Sequence, residues 1–575
     1  MNKRKKIISY SIGYAISALI AFLTYYITLP ALNLQSMGFY FFLSFVLILG
    51  FLPVLILSVD RAWLRDFLER MASGNTHNKK KIAKRDSGDI VFKRKSSKKF
   101  IIMISCALTP IVVLIIGAII SSTLFNARAF ANVISVAEAK FEEDMPETEK
   151  VTNIALMDTN TAKIVGSRTL GSLSDVVSQY EISNEYNQIN YKGTPKKVAN
   201  LEYAGFFKWI GNKNRGIPGY VMVDPVSNNA EYVELSSPLK YVESGFFGDD
   251  LMRKLRFSYP TKILGAPRYE LDDNGAPVFI VPCYKPQVMM FGAKDVSEVI
   301  IFDPCTGSSQ IYSLSETPSW IDVVYDGYLA CEKYDWKGIY SGGFINSIIG
   351  NKDCKQTTDD FGYVMIGDDV WYYTGVTSVN SDKSNIGFIL SNARTGEYKF
   401  YPVIGAEEHS AMAAAEGEVQ EKGYIASFPA LINASGQPTY IMTLKDEGGL
   451  VKLYALVNVQ KYSIVATGTT QEKTMEAYEK LLLEEGIIDA LPDVLPGTPS
   501  MLITAVVEDI RIITTGGESY VYISAPDESG SNRLFRTAIA VDESVLLIRV
   551  GDTVTLEVVR SQTGGIFDII NWHFE

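Results

Sequence analysis

The chain has 575 residues, of which 47% are hydrophobic and 21% charged, with a net charge of −11 at pH 7. This length excludes a single ordinary domain and indicates three to five units. The composition is globular on average, but the average conceals an apolar, basic N-terminal region and an acidic remainder.

Three apolar stretches without Asp, Glu, Lys or Arg occupy residues 7–32, 39–59 and 100–125. Each has at least about 20 residues, which is the length that a helix needs to cross the hydrocarbon core of a bilayer. A helix of this length in a soluble core would normally show a polar face. The sequence therefore predicts three transmembrane helices, the first of them a retained anchor because its apolar run exceeds that of a signal peptide.

The charges that flank these stretches predict their orientation. Four cations and no acid precede the first stretch, and residues 60–99 hold 13 Lys and Arg against 5 Asp and Glu. Residues 126–575 hold 37 Lys and Arg against 60 Asp and Glu. Because short basic loops stay in the cytoplasm, we expect the N-terminus and the 60–99 loop inside the plasma membrane and residues 126–575 outside.

The basic loop divides into two parts. Residues 60–71 have the pattern of an amphipathic helix that lies in the headgroup region. Residues 75–99 are polar and Lys-rich, as expected of a disordered linker whose cations set the topology or bind anionic lipid.

Residues 126–150 are predicted to form a stalk, and a recurring pattern then extends over 151–468. A strand-like run meets a turn rich in Asp, Pro, Gly or Asn, and a second strand-like run follows, as in 219–235, 298–314 and 385–403. These residues supply the backbone angles that hairpin turns require. With helical pieces between the hairpins, the pattern predicts three or four tandem copies of a helix plus a four-stranded antiparallel sheet, with a β-propeller as the alternative.

One hairpin pair resembles a known family. Asp273 with residues 274–281 (NGAPVFIV), followed by residues 299–307 (VIIFDPCTG), is similar to the PepSY domain, a small α+β module of propeptides and membrane-anchored outer-surface proteins of bacteria. Asp303 and Gly307 match its strand–Asp–x–x–x–Gly hairpin. The resemblance implies a binding or inhibitory role toward extracytoplasmic proteins such as proteases, and it brings no catalytic residues.

The C-terminal part has a different character. A helix and a Pro-rich linker are predicted over 469–499. Residues 500–575 are predicted to form a small β-barrel, and within it residues 547–558 (LIRVGDTVTLEV) resemble a strand pair of the OB-fold. This segment has 5 Arg and no Lys against 11 Asp and Glu. Because a nucleic-acid binder needs positive charge, a protein-contacting or structural barrel is favoured.

The outer cysteines leave more than one interpretation open. Cys283, Cys305, Cys331 and Cys354 fall in the acidic region, and an even number in an oxidising compartment permits two disulfides. Free buried thiols are the alternative, while the lack of C-x-x-C spacing and the scarcity of His disfavour a metal site.

Signatures of catalysis are scarce, and aromatic residues are the one enrichment. We find no H-E-x-x-H, G-x-S-x-G or P-loop pattern, and His409 reads as part of an exposed helix. Four tryptophans could line a groove for sugars or peptides or serve as sheet core: Trp209, Trp320, Trp336 and Trp371.

The sequence thus predicts a membrane protein with three N-terminal transmembrane helices, an α+β, β-rich extracytoplasmic region of tandem antiparallel-sheet repeats, and a C-terminal small β-barrel. The predicted function is a non-enzymatic binding or scaffold protein of the bacterial cell envelope. A regulator or inhibitor of an extracytoplasmic protease is the first alternative, and an envelope enzyme of unrecognised class is the second. Expected partners are the lipid bilayer and a protein or cell-wall component, with a homo-oligomer left open; neither nucleic acid nor a cofactor is expected.

Overall fold

The computed structural model describes residues 3–58, 94–145, 147, 155–358, 360–379, 381–488, 501–515, 518–526, 532–539, 543–560 and 566–574. Contacts divide the chain into two compact units, residues 1–147 with 151–474 and residues 148–150 with 475–575. Most of the predicted basic loop, including the amphipathic segment 60–71, lies outside the described residues.

In the part of the chain that the structure describes, the first three helices are largely apolar: α1 (Lys3–Thr28), α2 (Met37–Ser58) and α3 (Arg94–Ile120). Two of them contain stretches long and apolar enough to cross a membrane, Ile7–Thr28 and Ile102–Ile120, while Met37–Pro53 is a shorter apolar stretch. The helices α1 and α2 contact each other, and Ser17 Oγ of α1 donates a hydrogen bond to the Leu49 carbonyl of α2 at 2.7 Å.

The described residues of the predicted stalk, 126–145 and 147, pack instead against the folded domain. The third apolar helix ends at Ile120, and a short helix α4 (Thr123–Ala131) follows after a turn. The chain then forms β1 (Ala137–Glu138), which pairs in parallel with a strand more than 250 residues later, and α5 (Phe141–Asp144), whose Phe141 is buried. Apolar side chains at 141 and 145 hold this segment in the core.

Four β-sheets follow within the described part of the first unit. Sheet 1 is preceded by α6 (Thr159–Gly171) and α7 (Ser174–Val177), and α8 (Phe206–Asn212) connects two of its strands. Sheets 2, 3 and 4 are each preceded by one longer helix: α9 (Leu251–Ser258), α10 (Gly327–Tyr340) and α11 (Glu408–Glu418). A short π-helical turn, Asn346–Gly350, follows α10.

Each of the four sheets is built from strands that are consecutive in the chain, apart from β1, which joins sheet 3. Sheet 1 contains β2 (Tyr180–Ile182), β3 (Asn187–Tyr191), β4 (Thr194–Tyr203), β5 (Ile217–Asp224) and β6 (Asn229–Leu239). Sheet 2 contains β7 (Ile263–Leu264), β8 (Arg268–Leu271), β9 (Pro277–Val288), β10 (Gly292–Phe302) and β11 (Ser309–Ser313). Sheet 3 contains β12 (Lys355–Thr357), β13 (Gly362–Ile366), β14 (Asp369–Ser378), β15 (Ser381–Asn392), β16 (Tyr398–Tyr401) and β17 (Gly405–Ala406), together with β1. Sheet 4 contains β18 (Ile425–Ala426), β19 (Ala430–Ala434), β20 (Gln437–Lys445), β21 (Val451–Asn458) and β22 (Val465–Gly468).

The same strand order recurs in all four sheets. Two short strands pair with one edge of a long strand, and two further strands continue from its other edge as an antiparallel meander. The first unit is thus α+β and β-rich with several antiparallel sheets, as the turn pattern predicted.

In each meander, an Asp or Asn side chain begins the last turn by accepting backbone hydrogen bonds. Asp224, Asp303, Asn392 and Asn458 stand at or just after the end of the strand that precedes this turn. The side-chain oxygen of each accepts hydrogen bonds of 2.8–3.2 Å from backbone N–H groups two or three residues later. Asp and Asn favour such turns because their short side chains substitute for a backbone acceptor.

The side chains of β14 alternate between two hydrophobic cores, one on each face of sheet 3. On β14, Trp371 and Tyr373 face a core shared by sheets 3 and 4, whereas Val370 and Tyr372 face a core that includes residues of α10. Successive side chains of a strand point to opposite faces, so β14 is buried on both sides. Sheets 1 and 2 share a separate core.

A further α-helix, α12 (Gln471–Glu484), precedes a six-stranded sheet in the C-terminal unit. Its strands are β23 (Met501–Val506), β24 (Asp509–Thr515), β25 (Glu518–Pro526), β26 (Asn532–Ala538), β27 (Thr553–Arg560) and β28 (Ile566–Phe574). They are ordered β23-β27-β28-β26-β25-β24, and only the pair β26–β28 is parallel. The two strands at the ends of this order follow each other in sequence.

Candidate binding site beside the apolar helices

The four cysteines between residues 283 and 354 are free thiols in the structure. The sulfurs of Cys305 and Cys354 each donate to a backbone carbonyl, at 3.2 and 3.4 Å. Burial raises the pKa of Cys283 and of Cys331 to about 12 and that of Cys305 to about 11, so these thiols stay protonated. The structure therefore contains no disulfide among these four cysteines.

The four tryptophans are not brought together. Trp209 lies in the core of sheets 1 and 2, and Trp371 lies in the core of sheets 3 and 4. Trp320 packs against a smaller core behind sheet 2, and Trp336 packs on Phe130 with ring centroids 5.3 Å apart. Their shared role is packing, and a groove lined by all four does not form.

Among the residues that the structure describes, no group of three His, Cys, Asp or Glu side chains is placed to hold a metal ion. His409 lies at the start of α11, with its ring 6.5 Å from that of Phe428.

Two arginines of α9 hold the C-terminal end of α1. Arg256, which is 6% exposed, donates from Nε to the Leu29 carbonyl at 3.0 Å and from Nη1 to the Lys262 carbonyl at 2.6 Å. Arg253 donates from Nε to the Tyr26 carbonyl at 3.2 Å, and its guanidinium lies 4.3 Å from the centroid of the Tyr26 ring. The last carbonyls of a helix lack intrahelical partners, and cations are favourable there. The two arginines therefore join α1 to the domain at the point where the helix ends.

The loop after α1 extends this contact. Leu32 N donates to the Pro260 carbonyl at 2.8 Å, and Asn33 Nδ2 donates to the Thr261 carbonyl at 2.9 Å. The ring of Phe257 packs edge-on against Tyr25 with centroids 5.7 Å apart.

A second contact joins the β9–β10 hairpin to the other two apolar helices. Ser121 Oγ, just past α3, accepts hydrogen bonds from Met290 N and Phe291 N at 3.1 and 3.2 Å. The Phe291 ring lies 5.8 Å from that of Tyr40 in α2. A Cβ at Gly117 would approach the Phe291 ring to 2.6 Å, so this close approach needs a glycine.

A cleft of about 580 Å³ opens beside the α1 contact. Its walls combine aromatic, acidic and cationic groups: Tyr26, Tyr203, Phe246, Phe247, Glu181, Glu243, Asp250 and Arg253, with Ile27, Gly205, Ser244 and Gly245.

The pKa values of two acids that line the cleft, Glu243 and Asp250, and of Glu202 next to it are raised. Loss of hydration, together with the charges of Glu202, Glu185 and Asp250, raises the pKa of Glu243 to about 7. Burial also raises the pKa of Glu202, although that carboxylate accepts a hydrogen bond from Ser244 N at 2.8 Å. Burial raises the pKa of Asp250 as well, although Arg253 Nη1 lies 3.6 Å from it. A cation entering the cleft would relieve the repulsion among these carboxylates.

Sequence reasoning missed this cleft because it gave weight to tryptophan and cysteine. A usable signal was present: Arg253 and Arg256 are three residues apart and so fall on one face of a helix. Their partners lie more than 220 residues earlier in the chain, which no local pattern reveals.

No family model matches this chain, and no curated protein matches it either. One similar solved structure is the C-terminal domain of YpeB from Bacillus megaterium, with 10% identity, 40% of this chain and 91% of that chain covered, and a TM-score of 0.09. Another is a mutant of AofleA from Arthrobotrys oligospora, with 9% identity, 69% and 90% coverage, and a TM-score of 0.13. At these TM-scores neither likeness assigns a fold or a function. The chain itself has two apolar helices that are candidate membrane spans, and they are joined to an α+β domain.

Proposed function

We propose that this chain is a non-enzymatic, membrane-anchored binding or scaffold protein of the bacterial cell envelope. One observation carries the proposal: helices of membrane-spanning length end in specific hydrogen bonds to an acidic, sheet-rich domain. A polar domain fixed in this way to the ends of apolar helices is suited to presenting a binding surface at a membrane.

The proposed topology has three spans, with α2 as the second. Cations crowd the N-terminus and residues 60–99, whereas residues 126–575 are strongly acidic. The positive-inside rule then puts the N-terminus in the cytoplasm and the domain outside the plasma membrane.

The domain is proposed to consist of four copies of one PepSY-like module. The shared strand order and the Asp or Asn turn at the same place in each sheet support this interpretation. We also infer an OB-like barrel at the C-terminus, because β23 and β24 are separated by only Val507 and Glu508 although they stand at opposite ends of the strand order.

The proposed ligand is a cationic segment of a protein partner that reaches the cleft at the membrane surface. Glu181, Glu243 and Asp250 supply negative charge, and aromatic faces such as those of Tyr203 and Phe246 attract cations. Acids and aromatic faces together favour Lys or Arg side chains over a neutral ligand.

Anchoring and orientation are tested together. We expect the full chain to stay with membranes during alkaline extraction. We also expect external protease to remove the C-terminal portion in cells whose wall has been opened, while inside-out vesicles protect it. Release from the membrane by alkali, or cleavage of that portion only in inside-out vesicles, would refute the proposal.

Partner binding is tested by cross-linking in membranes followed by affinity purification. Glu243→Lys should weaken partner recovery at least about tenfold, whereas the exposed Glu421→Lys should retain it. Recovery of a protease would favour the regulator alternative, and turnover of a recovered small substrate that Glu243→Gln abolishes would favour an enzyme. Equal recovery with both lysine variants would remove the cleft from the proposal.

A further inference from the structure

A short helix of sheet 1 presents apolar side chains to its surroundings. Phe207 of α8 is 85% exposed and Ile210 is 48% exposed. Trp209, by contrast, is buried and stacks on Phe206 with centroids 5.8 Å apart, which fixes the orientation of the helix. Phe247, whose ring lies 5.8 Å from Trp209, is 58% exposed and extends the same surface.

This surface is continuous with the end of α1. The Phe247 carbonyl accepts a hydrogen bond from Arg253 Nη1 at 2.8 Å, and the Arg253 guanidinium lies over the Tyr26 ring. Tyr26 and Ile27 line the same cleft as Phe247, and Ile27 is 71% exposed. The apolar surface of α8 therefore begins where the first apolar helix ends.

A second apolar segment follows α10. Ile345, Ile348 and Ile349 are 73%, 61% and 81% exposed. Such exposure of three isoleucines within five residues is unusual for a surface that contacts only water.

The direction of α10 brings this segment toward the apolar helices. Near its start, Leu329 belongs to a core with Val296 and Val299 of β10; farther on, Lys333 Nζ lies 2.8 Å from Asp295. Near its end, Tyr340 packs in a cluster at the tip of the β9–β10 hairpin. That tip is the part bonded to Ser121 past α3, so α10 runs toward the end of α3, and Ile345 follows five residues after the end of α10.

Charge favours a lipid surface as the occupant. Lys208, Lys213 and Arg215 lie in or just after α8, and no acid occurs from residue 206 to residue 223. Exposed Phe and Ile next to Lys and Arg are typical of segments at the boundary between acyl chains and anionic headgroups.

We propose that 206–210 with Phe247, on one side, and 345–349, on the other, insert into the outer leaflet beside the spans. The domain would then rest on the bilayer at two places in addition to its covalent attachment, with the cleft at the membrane surface. This inference rests on the proposed membrane anchoring and adds to it a fixed orientation of the domain.

The test uses the full chain in nanodiscs that contain anionic lipid. One fluorescent amino acid is introduced at Phe207, Ile349, Ile404 or Leu19, and quenching is measured with lipids that carry a nitroxide near the headgroup or deep in the acyl chain. Ile404 is the matched control, because it is 73% exposed and lies in the turn between β16 and β17. Leu19, exposed in the middle of α1, is the reference for anchoring.

We expect shallow nitroxides to quench positions 207 and 349 at least about twofold more than position 404, and deep nitroxides to quench position 19. Adding Phe207→Ser to the chain labelled at 349, or Ile349→Ser to the chain labelled at 207, should weaken quenching at the remaining label. Quenching at 19 with equal signals at 207, 349 and 404 would overturn the inference and leave anchoring intact. No quenching at 19 would overturn anchoring itself, and the inference with it.

Discussion

At the scale of single residues, Arg256 shows how one side chain joins the apolar helices to the domain. Its guanidinium is buried and donates to the carbonyls of Leu29 and Lys262. Removing it leaves these part-buried acceptors without their charged donor, which costs about 2–4 kcal/mol. Arg256→Ala should lower the midpoint of thermal unfolding in detergent, whereas the exposed Arg215→Ala should leave it unchanged. Equal midpoints for the two variants would contradict this role.

Asp322 predicts how stability depends on pH. It is 7% exposed, accepts a hydrogen bond from Asn190 N at 2.7 Å, and lies beside the fully buried Glu270. Burial raises the pKa of Asp322 to about 7, so the folded state favours the protonated acid. The stability that this proton contributes is complete below the unfolded pKa of about 4 and is lost as the pH rises to 7.

Asp322→Asn keeps an acceptor for Asn190 and removes the titration. We expect the variant to be more stable than the natural chain by about 1–3 kcal/mol at pH 8, with the difference shrinking at pH 5. Urea unfolding at both values checks this, with the exposed Glu421→Gln as control. A difference that is the same at pH 5 and pH 8 would show that Asp322 does not titrate as described.

The free thiols give a direct chemical prediction. All five cysteines of the chain should react with a thiol reagent after denaturation without reductant, because no disulfide is present in the structure. Before denaturation, Cys283 should react slowly, since burial keeps its sulfur protonated and inaccessible. If only three cysteines, or only one, reacted in the denatured chain before a reductant was added, the result would establish one or two disulfides.

At the scale of elements, two glycines in hairpin turns separate backbone conformation from packing. Gly193 has φ +76° and an added Cβ would meet nothing within 4 Å, whereas Gly307 has φ +77° and an added Cβ would lie 2.5 Å from the Tyr241 ring. Gly193→Ala should cost about 1 kcal/mol for the left-handed conformation alone. Gly307→Ala should cost about 1–3 kcal/mol more, because the ring of Tyr241 must also move. Chemical unfolding of both variants measures the difference in their free energies of unfolding. Equal losses of stability would show that the Tyr241 ring can move aside without cost.

These turns also show what local sequence can and cannot predict. The Asp303–Gly307 hairpin was predicted because each of its signals lies within five residues. Strands as short as β7 carry too few residues for any pattern. The cleft depends on Arg253 and Arg256 meeting α1, and the pairing of β1 with β16 is equally distant in sequence. Such contacts depend on tertiary packing, which local propensity does not encode.

At the scale of the whole molecule, the segment after α4 connects the apolar helices to sheets 3 and 4. Phe141 is 4% exposed in the core shared by these sheets, and its ring lies 6.1 Å from that of Tyr401. Asp144 binds Lys399 Nζ at 3.0 Å, and the Met145 carbonyl accepts a hydrogen bond from Asn433 Nδ2 at 3.0 Å. With the contacts of α9 and the β9–β10 hairpin, the apolar helices are therefore joined to sheets 2, 3 and 4.

Phe141→Ala tests whether this segment is structural or merely a tether. Truncating a buried phenylalanine costs about 3–5 kcal/mol, because apolar contacts are lost and a cavity remains. We expect a lower unfolding midpoint for the full chain in detergent and faster proteolysis within sheets 3 and 4, while the helices stay in the membrane fraction. Phe574→Ala, at a 47% exposed position, is the control and should cost less than about 1 kcal/mol. If both variants unfold alike, residues 132–147 act as a tether, and the sheets owe their stability to their own cores alone.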